Sequence, residues 1–241
     1  GRFQWYVVIV LILAFMTGGQ IVYGLGFLEV YPDYQRLDAK GNWVEVDRMV
    51  ICNESLPEDQ WRINYDNDTS IHNWVAPDKL NLTCTAAETV GLLGSVYFLG
   101  FAASAACVPL ISDKIGRKVP LLASLVVQTG IYVALYLSKS VTFSIGCYVV
   151  VGLCAGGRVA ISTTYLNEFT PLKFQNIVTT FINVGDSSTM LFQAIYYYYN
   201  PDWKPLHLFG IIMACVILVL LLAIPESSKF NYVHGNFNKT R

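Results

Sequence analysis

Long apolar stretches alternate with polar segments along the chain. A helix that crosses the hydrocarbon core of a bilayer needs about 20 mostly apolar residues, because each residue advances the helix by about 1.5 Å. A long polar segment at 29–88 follows the first stretch of this length, and short breaks rich in Ser, Pro or charged residues separate the others. The pattern therefore predicts an all-α integral membrane protein with six transmembrane helices, at residues 5–28, 89–111, 119–137, 141–166, 177–199 and 207–224.

The first of these stretches has a second interpretation, a cleaved signal peptide. A retained helix is preferred, because the stretch is longer than the apolar region of a typical signal peptide and no small-residue cleavage site follows it. On this basis the chain divides into a first transmembrane helix at residues 1–28, a large loop at 29–88, five further transmembrane helices at 89–224 and a tail at 225–241.

The composition agrees with a membrane protein. Of the 241 residues, 54% are hydrophobic and 14% are charged, whereas about 25% of the residues of a typical soluble domain are charged. The six cysteines are scattered, and the sequence contains no CxxC pair and no hydrolase or nucleotide-binding motif. We therefore predict that the protein is not an enzyme, that it holds no metal or cofactor, and that it has no nucleic-acid partner.

The distribution of charge predicts the orientation. Cytoplasmic segments of membrane proteins are enriched in Lys and Arg. The loop at 29–88 carries twelve acidic and five basic residues, so we expect it to be extracellular or lumenal. The opposite side, which carries both termini if the helices alternate, is expected to be cytoplasmic because it holds Arg2, Lys114, Arg117, Lys118, Lys173, Lys229, Lys239 and Arg241.

The large loop carries further signs of a secretory compartment. Cys52 and Cys84 are the only cysteines outside the predicted helices, so a disulfide between them is predicted in an oxidising lumen. Three Asn-x-Ser/Thr sequences predict glycosylation in the same loop, at Asn53, Asn67 and Asn81. The alternative is an acidic, unglycosylated loop that faces another compartment. Three tryptophans are candidates for a small core within the loop: Trp43, Trp61 and Trp74.

Four charged residues interrupt the apolar pattern between the second and third predicted helices, in the sequence DKIGRK at 113–118. A tight turn there requires Gly116, because a side chain would obstruct the backbone between two packed helices. Asp113 ends one helix, and Arg117 and Lys118 begin the next. We predict a latch that joins neighbouring helix ends and releases them when the helices move. The alternative is that these residues only mark the cytoplasmic side.

This segment resembles the signature loop of the major facilitator superfamily. Two other segments resemble the same family in register: GLCAGGRVAISTTYLNEFTPLK at 152–173, which contains Tyr165 and Glu168, and PESSKF at 225–230, which contains Glu226. The cysteine-bearing loop and the sequence YFLGFAA at 97–103 are most similar to the organic cation and anion transporter branch. The resemblance covers the N-terminal six-helix half of such a transporter.

The resemblance implies a fold, a function and partners. The six helices would form two inverted three-helix repeats, and a second six-helix half would complete a solute site near the middle of the bilayer. The implied function is transport of a small organic solute by alternating access. The latch would consist of Asp113, Gly116, Arg117, Lys118, Glu168 and Glu226. Candidate cavity-lining residues are Gln20, Tyr165 and Ser187, and the partners are the lipid bilayer, the second half and the solute.

The sequence departs from the family pattern in ways that leave two interpretations open. Pro109, Tyr148 and Gln175 stand where members usually have a glycine and two arginines, so the latch lacks two basic partners. The chain is therefore either a divergent transporter or a degenerate transporter-like scaffold, a non-transporting subunit of a larger membrane assembly. We expect the plasma membrane or an endomembrane, and the mitochondrial inner membrane is the alternative location.

Two charged residues lie deep within predicted helices. Arg158 is ten residues before Glu168 and Asp186 is ten residues after Asn176, so each lies about 15 Å inside the membrane boundary. An unpaired charge at this depth costs roughly 2.5–3.5 kcal/mol or more. We therefore predict that Arg158 and Asp186 form an ion pair, which would either pin two helices together or hold a solute, with Arg158 binding an anionic group and Asp186 tuning it.

Overall fold

The computed structural model describes residues 2–66 and 72–233, which form a bundle of long helices and a small sheet. The elements follow the chain in the order α1 (Arg2–Leu28), β1 (Tyr34–Leu37), β2 (Trp43–Val46), α2 (Arg48–Asn53), β3 (Trp61–Ile63), α3 (Ala87–Ile115), α4 (Lys118–Leu137), α5 (Val141–Phe169), α6 (Leu172–Tyr199), α7 (Trp203–Leu222) and α8 (Ser228–Val233). We call the end of the bundle that carries Arg2, Lys118 and Lys173 the basic side, and the opposite end the loop side.

The helices confirm an integral membrane protein. Five of them, α1, α3, α4, α5 and α7, are long and apolar enough to cross a membrane. The helix α6 has 28 residues and sufficient length, but it carries more polar side chains and does not meet the same condition. Six crossings therefore remain a prediction, and the polar character of α6 is taken up below.

Glycines bring α3 and α5 into direct backbone contact. A Cβ atom on Gly152 of α5 would lie 2.1 Å from the carbonyl oxygen of Tyr97, and one on Gly100 of α3 would lie 2.4 Å from the carbonyl oxygen of Val149. Only helices without side chains at the crossing approach this closely, as small residues permit in membrane bundles. The two helices therefore form a tightly packed pair.

The helix α1 occupies a central position and contacts α5, α6 and α7. Two apolar cores lie above and below its middle. The core near the loop side includes Leu25, Leu93 and Tyr132, and the core near the basic side includes Leu11 and Leu121. The middle of α1, residues 17–20, lies between these cores.

The loop contains a three-stranded antiparallel sheet that the sequence pattern did not predict. Its order is β2-β1-β3, and Tyr34 of the central strand pairs with Val46 on one side and Ile63 on the other. The tryptophan core expected for the loop is wrong for Trp74, which is fully buried in the helical bundle, and for Trp43, which is 37% exposed. The core of the loop is built instead from Tyr34, Ile51, Ile63 and Ala76.

A disulfide joins Cys52, at the end of α2, to Cys84, just before α3. It links the sheet region of the loop to the chain segment that enters the membrane. The predicted glycosylation residues Asn53 and Asn81 are exposed, whereas Asn67 lies outside the described residues. Glycosylation stays a prediction.

Two side chains from residues 72–80 fasten the loop to the ends of membrane helices. Asn73 donates hydrogen bonds from Nδ2 to the carbonyl oxygens of Phe27 (3.2 Å) and Val30 (2.5 Å) at the end of α1. Lys79 donates from Nζ to three carbonyl oxygens at the end of α4, those of Leu135 (2.7 Å), Tyr136 (3.0 Å) and Ser138 (2.6 Å). A helix leaves its last carbonyls without partners, so these contacts satisfy acceptors that would otherwise be unpaired.

Candidate functional site

Gly116 forms the turn between α3 and α4, as the sequence predicted, for two physical reasons. Its φ of +99° lies in the region that residues with a side chain rarely adopt. A Cβ atom at this position would also lie 2.5 Å from Oε2 of Glu226, which comes from the segment after α7. The turn therefore requires glycine because a carboxylate fills the space beside it.

Glu226 caps the beginning of α4. Its Oε1 accepts hydrogen bonds from the backbone N–H of Arg117 (2.9 Å) and of Ser227 (3.0 Å), and its Oε2 accepts from the N–H of Lys118 (3.2 Å). A carboxylate at a helix N-terminus satisfies unpaired donors and complements the helix dipole. Lys118 makes the reverse contact, donating from Nζ to the carbonyl oxygen of Leu222 at the end of α7 (2.9 Å).

Arg117 connects three helices. Its guanidinium forms an ion pair with Asp113 at the end of α3 (Nη1–Oδ1, 2.7 Å) and a longer one with Glu168 at the end of α5 (Nη2–Oε1, 3.4 Å). It also donates to the carbonyl oxygen of Ser112 (2.8 Å). The six residues predicted for the latch are thus brought together on the basic side, and we call them the charge network: Asp113, Gly116, Arg117, Lys118, Glu168 and Glu226.

Two neighbours of the charge network differ from expectation. Tyr165 does not line an open cavity as predicted, because its side chain is fully buried and its hydroxyl donates to the carbonyl oxygen of Pro225. Gln175, which replaces the arginine usual in the family, donates to the carbonyl oxygens of Asn167 (2.9 Å) and Thr170 (3.3 Å). It caps the end of α5 and leaves Oε2 of Glu168 without a hydrogen-bond partner in the described part of the chain.

The direct ion pair predicted between Arg158 and Asp186 is wrong. Asp186 instead accepts a hydrogen bond at Oδ2 from the hydroxyl of Tyr23 on α1 (2.5 Å). Within residues 2–66 and 72–233, none of the three nitrogens of the fully buried Arg158 guanidinium has a hydrogen-bond partner. Each charge packs against a different glycine of α1: Nη2 of Arg158 would be 2.5 Å from a Cβ on Gly18, and Oδ1 of Asp186 would be 2.8 Å from one on Gly19.

The middle of α1 collects polar contacts from several helices. The carbonyl oxygen of Thr17 accepts from Nε2 of Gln128 (2.9 Å) and from the hydroxyl of Tyr132 (2.5 Å), both on α4. The carbonyl oxygen of Gln20 accepts from Nε2 of Gln193 on α6 (2.6 Å). Sequence reasoning missed these side chains, although a glutamine in an apolar helix is itself a signal, since its amide requires partners there.

Gln20 lies at the edge of this region and was predicted to line a cavity. Its Nε2 donates to the carbonyl oxygen of Leu206 on α7 (3.3 Å). With Gln193 and His207 it borders an internal cavity of about 20 Å³, which is room for about one water molecule. This small space cannot hold an organic solute, but Gln20 also borders a larger groove of about 440 Å³ between α1, α6 and α7.

The helix α6 exposes two faces of different character. Asn176, Thr180, Asn183 and Ser187 are all exposed, and their spacing of four, three and four residues puts them on one face of the helix. We call this the polar face. Asp186 is half-buried beside it, between the polar face and α1. Polar side chains at membrane depth normally face water or protein rather than lipid.

The second face of α6 is apolar. About a quarter of a turn around the helix from the polar face, most exposed side chains are apolar, among them Ile177, Phe181, Val184, Leu191 and Ile195, and Ser188 is a polar exception. These side chains suit contact with hydrocarbon. The two faces explain why α6 is less apolar than the other long helices while still having a surface fit for lipid.

The sequence is similar to known transport proteins. The profile of the family described as "Sugar (and other) transporter" matches residues 53–241. The chain is 27% identical over 157 residues to the probable metabolite transport protein CsbC of Bacillus subtilis (strain 168), and the aligned region covers 64% of this chain and 34% of that protein. It is 24% identical over 166 residues to solute carrier family 22 member 2 of Oryctolagus cuniculus, covering 66% of this chain and 30% of that protein.

The structure is similar to a solved transporter. The crystal structure of the D-xylose-proton symporter aligns with 98% of this chain and 51% of its own, with a TM-score of 0.60 and 15% identity. At this identity the likeness concerns the fold alone. The matched region spans about a third of the length of the curated relatives and about half of the symporter chain.

Proposed function

The chain belongs to the sugar (and other) transporter family of the major facilitator superfamily, and on this premise we propose that it moves a small organic solute across a membrane by alternating access. We further propose that it is the N-terminal half of the transporter and that a second six-helix half completes the solute site. The correspondence of nearly the whole chain to about half of the symporter structure supports the second proposal.

The polar face of α6 is the observation that carries the transport proposal. Asn176, Thr180, Asn183 and Ser187 extend over about 16 Å of helix length and have no cover in the described bundle. Polar groups in a row at membrane depth are stable if they line a water-filled path between two bundles. We propose that this face is one wall of the solute path.

Asp186 is the charged group proposed to act on the solute. It is half-buried beside the polar face, whereas Arg158 is fully buried behind α1. A solute in the path therefore reaches the carboxylate sooner than the guanidinium. The hydroxyl of Tyr23 orients this carboxylate through its hydrogen bond to Oδ2.

The charge network is proposed to hold the basic side closed in one of the alternating states. Arg117 links the ends of α3 and α5 through Asp113 and Glu168, and both ion pairs can separate without breaking a covalent bond. Glu226 links the segment after α7 to α4. Opening of the basic side would require these contacts to part.

Cysteine accessibility tests whether the polar face lines an aqueous path. Asn183 and Val184 are consecutive, both exposed in this chain, and on the polar and the apolar faces respectively. We would introduce Asn183→Cys or Val184→Cys into the full-length protein after replacing the exposed Cys107 and Cys215 by serine. A membrane-impermeant thiosulfonate reagent should modify the cysteine at 183 and spare the one at 184. Equal modification of both, or of neither, would contradict the proposed path.

Uptake measurements separate the transporter from the alternative, an accessory scaffold in a larger membrane assembly. Proteoliposomes that contain the full-length protein would be tested with tetraethylammonium, benzoate and D-xylose as probes of three solute classes. A transporter should accumulate at least one, and Asp113→Asn should reduce the rate while Lys114→Gln, which alters an adjacent exposed charge, should not. The absence of uptake, together with firmly bound partner chains in preparations from native membrane, would favour the scaffold.

The plasma membrane or an endomembrane is the proposed location. The acidic, disulfide-linked loop supports an oxidising compartment on the loop side.

A further inference from the structure

An apolar groove lies on the basic side between α1 and α6. It has a volume of about 430 Å³ and is open along one side of the bundle. Thr170 and Pro171, at the connection between α5 and α6, close its end. Its walls are mostly apolar side chains, among them Trp5, Val8, Ile12, Phe174, Ile177 and Phe181, and Gln4 is a polar side chain in the lining.

The groove opens toward hydrocarbon and away from the proposed solute path. Ile177 and Phe181 belong to the apolar face of α6, about a quarter of a turn from Asn183 and Ser187. Trp5 stands at the mouth and is 66% exposed, as tryptophans often are at the boundary between membrane and water. An occupant of the groove would therefore come from one leaflet of the bilayer.

Two exposed basic residues are close in the chain to residues that line the groove. Arg2 lies one turn before Trp5, and Lys173 directly precedes Phe174; both are exposed. The carboxylate of Glu168 is 7% exposed and is turned to Arg117, so it does not offset these charges at the surface. Basic residues close to the lining of an apolar groove match a molecule with an anionic head and a hydrocarbon tail.

We propose that the groove binds one anionic phospholipid from the leaflet on the basic side. An acyl chain lies along Val8, Ile12 and Phe181, and the phosphate is within reach of Arg2 and Lys173. This goes beyond the proposed transport function, because the groove faces away from the solute path and a scaffold would also have it.

The head group supplies the selectivity. An acyl chain that leaves the groove enters other hydrocarbon, so the apolar walls alone distinguish poorly between lipids. Each basic residue near a membrane surface favours an anionic lipid by roughly fivefold. Arg2 and Lys173 together should therefore give a preference of about 25-fold over a zwitterionic lipid.

A second groove on the same face of α6 is a natural control. It has a volume of about 440 Å³, and its described lining contains apolar residues such as Leu191, Phe192 and Ile195, a few uncharged polar residues such as Gln20 and Ser188, and no Lys or Arg. Ile177 in the first groove and Ile195 in the second are 52% and 50% exposed and are separated by five full turns of the helix. An Ile→Trp substitution at either position makes the same chemical change, in the first groove at Ile177 and in the second groove at Ile195.

The experiment measures lipids retained by the full-length protein in detergent, by native mass spectrometry, with phosphatidylglycerol and phosphatidylcholine as probes. We expect one phosphatidylglycerol to be retained about 25-fold more strongly than phosphatidylcholine. Combining Arg2→Gln with Lys173→Gln should remove the preference, and Ile177→Trp should reduce binding at least fivefold while Ile195→Trp leaves it unchanged. Thermal unfolding of each variant checks that it is folded.

Three results would overturn the proposal. Equal retention of the two lipids by the unmodified protein would mean that only non-selective boundary lipid is bound. An equal loss from Ile177→Trp and Ile195→Trp would mean that the first groove is not the site. Displacement of phosphatidylglycerol by millimolar inorganic phosphate would mean that the acyl chain contributes nothing. Because none of these readouts involves uptake, failure of the transport proposal would leave them unchanged.

Discussion

The carboxylate of Glu226 fills the space where a side chain on Gly116 would begin, with Oε2 only 2.5 Å from the position of that Cβ. The two residues are far apart in sequence, yet the cap on α4 exists only because Gly116 has no side chain. Gly116→Ala should therefore displace Glu226 and strain a backbone with φ of +99°. We expect a loss of about 1–3 kcal/mol in the free energy of unfolding.

The measurement for Gly116→Ala is thermal unfolding of the detergent-purified protein. Gly130→Ala is a matched control, because Gly130 is within α4 and a Cβ there would meet nothing within 4 Å. Alanine favours a helix over glycine, so the control should be neutral or slightly more stable. A lower melting temperature for both variants, or for neither, would show that the position of Glu226 does not depend on the missing side chain at Gly116.

Lys79 fastens the loop to α4, and its removal should destabilise the protein. Lys79→Met keeps most of the apolar stem and leaves three carbonyl oxygens at the end of α4 without their donor. Buried acceptors that lose a charged partner cost about 1–3 kcal/mol. Burial lowers the pKa of Lys79 to about 8, so the ammonium, with its three donors, is still the main form at neutral pH.

Limited proteolysis in the loop and thermal unfolding would measure the effect of Lys79→Met. Lys40→Met, in the same loop but exposed, is the control. We expect faster cleavage of the loop and a lower melting temperature for the first variant alone. If the two variants had the same cleavage rate and the same melting temperature, the contacts of Lys79 would contribute no net stability.

Glu29, directly after α1, should make stability depend on pH. Burial raises the pKa of its carboxyl from the usual 4.5 to about 7, and Oε1 is buried without a hydrogen-bond partner in the described part of the chain. Between pH 4.5 and 7 the folded protein keeps a proton that the unfolded chain releases. The free energy of unfolding therefore falls as pH rises through this window, and the cost of burying the ionised carboxylate is fully present above pH 7.

Glu29→Gln removes the ionisation, so it should raise the melting temperature at pH 8 and have little effect at pH 4.5. Melting curves at both pH values measure the difference. Glu58→Gln, an exposed change in the same loop, should leave the pH dependence as it is in the unmodified protein. If the melting temperature of Glu29→Gln depended on pH in the same way as that of the unmodified protein, the carboxyl of Glu29 would be solvated in the folded protein.

Glycosylation tests the orientation of the loop. Asn53 and Asn81 are exposed and lie in sequences that accept a glycan. Asn53→Gln and Asn81→Gln should each remove one glycan from the full-length protein and so increase its electrophoretic mobility by one step. Treatment of the unmodified protein with a glycosidase should produce the same shifts. Asn42→Gln, exposed but outside any acceptor sequence, should cause no step. Insensitivity of the unmodified protein to glycosidase would favour a compartment without glycosylation, such as the mitochondrion.

Much of the basic side was predictable from sequence because its residues are close together along the chain. Asp113 and Arg117 are four residues apart and meet at the junction of α3 and α4. Glu168 and Glu226 were assigned to the same network by resemblance to a family, since nothing local links them to Arg117. The cap that Gln175 places on α5 was not predictable, because it depends on where the chain goes after Pro171.

The partner of Asp186 shows the limit of reasoning from one sequence. The count of residues from the membrane boundary gave Arg158 and Asp186 similar depths, but it did not give the direction in which either side chain points around its helix. Tyr23, on a third helix, takes the position expected for Arg158. Depth follows from the fixed rise of a helix, whereas direction follows from how all the helices pack.

The apolar runs alone are enough to predict a helical membrane protein, because the length of such a run is a local property that the thickness of the bilayer fixes. The DKIGRK segment likewise predicts the turn at Gly116, whereas the Glu226 carboxylate beside that turn comes from a distant part of the chain. The packing of the helices, by contrast, sets which charges meet, which face of α6 is exposed, and that Trp5 and Phe174 line one groove. These relations join residues from different helices, and packing rather than local pattern sets the distances between them.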